Sequence, residues 1–194
     1  MQASMSDFYS PLNVHIPLEE GQGSTLHMLP FDSSSARWMH NCVHQWDAEA
    51  FRDHRQAHVC EILRGRKYML AAMPVGWKGK YNEVMDPPIL GYCLFRDMTH
   101  TYVTGVLRPA YQIISIGVRP DNRRMGTAIR LIRRAAMLGS RSIHAWFNAE
   151  KHLNMAALMK RIGCTVIDDK KSEGLFYFGI SYERLMSHPI KAKQ

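Results

Sequence analysis

Arg123-Arg124-Met125-Gly126-Thr127-Ala128 joins a run with the composition of a buried strand to one with the spacing of an amphipathic helix. Upstream, Gln112-Ile113-Ile114-Ser115-Ile116-Gly117-Val118 is β-branched and apolar, the chemistry of a strand inside a sheet. Downstream, Ile129, Ile132, Ala135 and Ala136 recur on one helical face, with Arg130, Arg133 and Arg134 on the other. Pro120-Asp121-Asn122 between them is turn chemistry. A strand that enters a helix through small residues leaves the first helical N–H groups without carbonyl partners, aimed at one point. With the positive end of the helix dipole they form an anion site suited to a diphosphate. Glycine at position 126 allows phosphate to approach the backbone closely. The stretch therefore predicts binding of a pyrophosphate-bearing ligand.

Arg123-x-x-Gly126-x-Ala128 resembles the Arg/Gln-x-x-Gly-x-Gly/Ala signature of the GNAT superfamily of N-acetyltransferases. It fits neither a Rossmann Gly-x-Gly-x-x-Gly nor a Walker loop. Further on, Asn154-Met155-Ala156-Ala157-Leu158-Met159-Lys160-Arg161-Ile162-Gly163-Cys164 resembles that family's later motif, an Asn, an Ala and a Leu-Tyr-x-Lys-x-Gly-Phe ending. The resemblance runs from about Ile89 to Tyr182. It implies an α/β (α+β) GNAT fold, a mixed central sheet of about seven strands flanked by about four helices. It also implies acetyl-CoA as acyl donor and direct attack on its thioester by a primary amine. In that reading Ile116 and Val118 pair with the pantetheine arm, Arg123, Arg124, Met125, Gly126, Thr127 and Ala128 hold the pyrophosphate, and Asn154 touches the far side of the cofactor. The alternative is a GNAT-fold binding or assembly protein, or a nucleic-acid-modifying one, phage-encoded relatives included, without acetyl transfer.

Two departures bear on catalysis. The tyrosine that protonates the leaving thiolate in many relatives is Met159 here, and a thioether carries no proton to donate. The carboxylate often found on the motif strand aligns with Ser115, which can position water but is a poor base. The segment between the following strand and Asn154 is also longer than the family's. Candidate replacements are Ser115 as a water holder, His144 on the next strand, and Tyr177 or Tyr182 on a closing strand. A core histidine and core aromatics are the plainer readings of the last three. Glu150 reads as solvated. The pairs His40/His44 and His54/His58 have helical zinc-ligand spacing, but no carboxylate or cysteine completes a recognised metal pattern.

The 194 residues suit one well-buried domain. They divide into an N-terminal arm (1–24), a domain (25–186) and a C-terminal tail (187–194). No apolar run of membrane-spanning or signal-peptide length occurs, which excludes those classes. Cys42, Cys60, Cys93 and Cys164 are widely separated and read as small buried hydrophobes of a reducing compartment, the cytoplasm. The net charge of +8, much of it on or beside the motif helix, attracts a polyanionic cofactor and disfavours polycationic acceptors. An acidic protein or an RNA is a further candidate partner, and the sequence leaves both the amine acceptor and dimerisation open.

Strands are expected at Thr25–Leu29, Tyr68–Met73, Ile89–Phe95, Tyr111–Val118, Ser142–Phe147, Cys164–Ile167 and Leu175–Tyr182. Helices are expected between Asp32 and Arg64, after Gly126, and near Asn154–Ile162.

Overall fold

The computed structural model describes residues 17–21, 23–29, 46, 67–78, 88–103, 106–170 and 175–189. Its strands are β1 (Pro17–Gly21), β2 (Ser24–Leu29), β3 (Lys67–Pro74), β4 (Gly91–Val103), β5 (Val106–Val118), β6 (Ser142–Asn148), β7 (Thr165–Lys170) and β8 (Leu175–Ile180). Helices are α1 (Thr127–Met137), α2 (Leu153–Arg161) and α3 (Tyr182–Ser187), and a 3-10 turn covers Pro120–Asn122. The strands hydrogen-bond in the order β1-β2-β3-β4-β5-β6-β8-β7. The β5–β6 ladder is parallel, whereas β1–β2, β2–β3, β6–β8 and β7–β8 are antiparallel. The parallel pair is the one joined by a crossover helix, α1, as a parallel connection requires. The helices expected between Asp32 and Arg64, and with them His40, His44, His54 and His58, lie outside the described residues apart from Trp46, which is helical.

The chain forms two compact units. One comprises Met1–Leu94 with Ile116–Ala128. In it Tyr68, Met69, Leu70, Ala71, Ala72 and Met73 are all buried, so β3 is covered on both faces, as its unbroken apolar run predicts. The end of β5 packs against the start of β4 with no room to spare. A Cβ placed on Gly117 would lie 2.7 Å from the Tyr92 ring. That ring is 2% exposed and stacked on Trp46 with centroids 6.2 Å apart, so it has nowhere to swing. Gly117→Ala should therefore destabilise the protein by about 2 kcal/mol through overpacking, read as a lower denaturant midpoint with an unchanged slope.

The second unit comprises Phe95–Ser115 with Ile129–Gln194. Ile129, Leu131, Ile132, Ala135 and Ala136 of α1 are buried in its core, the face expected from the spacing plus Leu131. Arg133 is not a solvated charge. Its guanidinium donates to the carbonyls of Leu185, at 3.1 Å, and of His188. It thereby supplies donors to the last carbonyls of α3, which a helix cannot satisfy itself. Arg141 pairs with Asp97 and lies 4.9 Å over the Tyr111 ring. Cys93 and Cys164 are buried free thiols, both pushed up to about 12 by burial.

Four expectations need correction. The stretch read as an arm contributes β1, which pairs antiparallel with β2 at the edge of the sheet. The stretch between Phe95 and Tyr111 reads as a connector but continues as strand to Val103 and again from Val106. Its threonines, tyrosine and valines are residues of high strand propensity. The last strand stops at Ile180, since the Ser181 side chain accepts from the Arg184 N–H at 3.3 Å and caps α3. Tyr182 therefore starts a helix and is removed from the closing strand. Finally, β7 extends to Lys170, which shortens the expected turn after Asp168.

Candidate functional site

The motif turn belongs to the first unit. After Val118, Arg119 forms a two-pronged ion pair with Asp121, Nε to Oδ1 at 2.7 Å and a terminal nitrogen to Oδ2 at 2.8 Å. Asn122 also donates to Asp121, and these donors, the Arg119 guanidinium first, hold its carboxyl below the usual carboxylate range. Arg119 is thus already neutralised. Arg123 reaches back to the Val118 carbonyl at 3.2 Å, closing the turn over the end of β5. Arg124 and Gly126 then adopt left-handed conformations, with φ of 69° and 80°. Successive residues of alternating hand turn their N–H groups towards a common concavity, an arrangement that binds anions. A Cβ on Gly126 would meet nothing within 4 Å, so the space over the turn is open. Glycine is favoured here by the positive φ as well as by any ligand's approach.

Arg123, Arg124 and Met125 are exposed, Gly126 and Ala128 half-buried, and Thr127 buried. The first turn of α1 contains no acidic residue to compete with an anion. Ile116 and Val118, at the end of β5, are half-buried. Backbone N–H groups of the turn and the exposed guanidinium groups of Arg123 and Arg124 are the donors such an arrangement offers to a polyphosphate.

The candidate catalytic residues belong to the second unit. Trp146 stands opposite Tyr177 in the β6–β8 ladder, and His144 lies two residues earlier on the same face. That diagonal brings His144 Nδ1 to 2.6 Å from the Tyr177 hydroxyl. His144 is 1% exposed, and its Nε2 has no hydrogen-bond partner. Burial lowers its pKa to about 4 and raises that of Tyr177. Both groups are therefore neutral at neutral pH.

The burial of His144 has a consequence for stability. The unfolded histidine binds protons near its ordinary pKa of about 6.5, whereas the folded one resists them down to about 4. Stability is thus fully present above the unfolded value and falls as pH drops through that window, by up to about 3 kcal/mol for this group. His144→Gln should lose less stability than wild type between about pH 7 and pH 4 in urea titrations.

Ser115 is not brought to this pair. The parallel register sets Gln112 beside His144 and Ile113 beside Ala145. Two residues beyond Ile113, Ser115 takes the opposite face by the strand's two-residue period. The β5–β6 ladder ends at Ile113–Ala145, although β5 runs on to Val118 and β6 to Asn148. Asn154 is exposed in the first turn of α2. The longer approach to it is organised by Asn148, whose Oδ1 accepts from the Glu150 and Lys151 N–H groups at 3.0 and 2.9 Å. Glu150 itself is exposed. Met159 is fully buried with its sulfur 3.7 Å from Cys164 Sγ, so this position is core. Sequence reasoning missed Asn148 and Gln112. The first is a turn-forming residue closing a strand, and the second is a polar residue beside the apolar run of β5.

No protein-family model matches the sequence, and no curated protein matches it. Solved structures do match. A GNAT-family structure from Desulfovibrio desulfuricans aligns with 81% of this chain and 99% of its own, at 13% identity and a TM-score of 0.54. Mutant forms of the spermidine/spermine N-acetyltransferase SpeG from Vibrio cholerae align over 86% and 98%, at 14% identity and 0.53. Arabidopsis thaliana NAA60 in complex with acetyl-CoA aligns over 80% and 98%, at 15% identity and 0.51. The chain has the GNAT fold. Among the described residues no helix is long and apolar enough to cross a membrane.

Proposed function

We propose that the protein is an acetyl-CoA-dependent N-acetyltransferase acting on a primary amine by direct attack. The observation that carries this reading is the left-handed turn at Arg124 and Gly126, open to solvent and leading into α1 beside exposed Arg123. Acetyl-CoA, which an NAA60 structure of the same fold contains, presents the diphosphate that such a turn fits. Bound there, it supplies a thioester whose carbonyl carbon gains a bond to the amine nitrogen as its bond to sulfur breaks.

The chain's own residues move the protons. His144, kept neutral by burial, accepts at Nε2 the proton the amine sheds. Tyr177, in place of the tyrosine missing at Met159, gives its hydroxyl proton to the departing thiolate. The Nδ1–H···O hydrogen bond then passes a proton from the imidazolium to the Tyr177 oxygen, which leaves the imidazole neutral as its Nε2–H tautomer; loss of that proton to solvent and uptake of one at Nδ1 reset it for the next turnover.

A binding protein of the same fold is the second reading, favoured by the burial of Met159, which leaves no acid at the family's position. Incubation with acetyl-CoA labelled in the acetyl group, together with proteins, tRNA and small amines, separates the two by mass spectrometry. Label in an amine pool supports the enzyme. Cofactor binding with every pool unlabelled supports the binding protein.

A further inference from the structure

One sheet face of the second unit carries a polar row whose parts the fold does not use up. Arg96 of β4 donates its Nε to Gln112 Oε1 of β5 at 2.8 Å. Gln112 is the register partner of His144 on β6, so the two side chains leave the same face. His144 holds Tyr177 of β8, with the half-buried Trp146 ring 5.2 Å from Tyr177. His144 Nε2 is buried without a hydrogen-bond partner, which in a folded protein calls for an explanation. Arg96 is exposed, and among the described residues no carboxylate pairs with it. The neighbouring acid, Asp97, is taken by Arg141. At the far end, Asp168 of β7 stands opposite Tyr177 in register.

We propose that this row is the acceptor site and that the acceptor is an amine that also carries a carboxylate. The inference rests on the acetyltransferase reading and deepens it. Arg96 and the Gln112 amide take the carboxylate, a pairing that suits a guanidinium with two terminal nitrogens to offer. The amine lies towards His144 and Tyr177, with the Trp146 ring beside Tyr177 at that end of the row. β4 and β6 are two strand spacings apart, roughly 10 Å, so the two ends of the acceptor are separated by a few carbon atoms. A polycation fits poorly, since the end of the row formed by Arg96 would repel it and the chain's charge is +8.

The test uses the full chain with β-alanine and γ-aminobutyrate, each paired with its carboxamide, and with spermidine. Thiol release from acetyl-CoA is followed in wild type, Arg96→Gln and Arg96→Lys, and binding of each amine is measured by calorimetry. The expected result is a KM at least about tenfold lower for the acids than for their amides, a preference lost in Arg96→Gln and partly kept in Arg96→Lys. Turnover without that preference, or a preference that survives Arg96→Gln, overturns the proposal and leaves the acetyltransferase reading standing. Arg96-dependent binding of the acids without thiol release supports the row as a site while removing the enzymatic reading. Neither binding nor turnover of any acid overturns it.

Discussion

Gly126→Glu abolishes the rise in melting temperature that acetyl-CoA produces in the wild-type protein. A ligand that binds only the folded state at about a hundred times its dissociation constant stabilises by about 2.7 kcal/mol. For a chain of this size that is a shift of roughly 5 to 10 °C. A Cβ at position 126 meets nothing within 4 Å, so the glutamate adds a negative charge to the turn at the cost of the strain that φ of 80° imposes on any side chain. Gly126→Ala separates ligand effects from backbone strain. Its methyl group meets nothing within 4 Å, but φ of 80° disfavours any side chain by about 1 kcal/mol. The alanine variant should melt a few degrees lower than wild type and still respond to acetyl-CoA. A full shift in Gly126→Glu would falsify the assignment of the motif turn as the pyrophosphate site.

His144→Ala lowers turnover about a hundredfold while leaving the acetyl-CoA-induced melting shift intact. The sequence alone places the controlling imidazole pKa at roughly 6 to 7. The structure moves it, because burial lowers the His144 pKa to about 4. A base must be unprotonated to act, so the His144-dependent rate rises through about pH 4 and is flat at neutral pH. Any further rise above neutrality then belongs to the acceptor amine losing its own proton. Tyr177→Phe removes the hydroxyl that lies 2.6 Å from His144. It should lower kcat by about tenfold or more, and the double variant should be little worse than His144→Ala, since paired groups act as a unit. Superimposable pH–rate profiles for wild type and His144→Ala would strike both residues from the mechanism and return them to the core.

The motif turn was legible because everything that defines it is local. The apolar β-branched run before Arg119, the Pro120-Asp121-Asn122 turn and the spacing of Ile129, Ile132, Ala135 and Ala136 are patterns within a few residues of one another. Such patterns set strand, turn and helix directly, and the observed elements follow them. The β5–α1–β6 crossover and its parallel ladder could be expected on the same grounds. Local reading erred where two structures share one composition. Residues 96–103 and 106–110 mix polar residues that suit a loop with β-branched ones that suit a strand, and they extend two strands; Ser181 looks like a strand residue until its hydroxyl caps α3.

By itself, then, the sequence determined the order of the elements around Gly126, the glycine at the positive-φ position and the excess of positive charge, all properties of neighbouring residues. Only the tertiary structure decided which candidates meet. His144 and Tyr177 are 33 residues apart and touch because the β6–β8 register sets them on one diagonal; slipping that register by one residue would send them to opposite faces. The same registers turn Ser115 away, join Arg96 to Gln112, bury Met159 and recruit Arg133 to the end of α3. Register and burial depend on which distant strands and helices pack together, and that is a property of the whole fold.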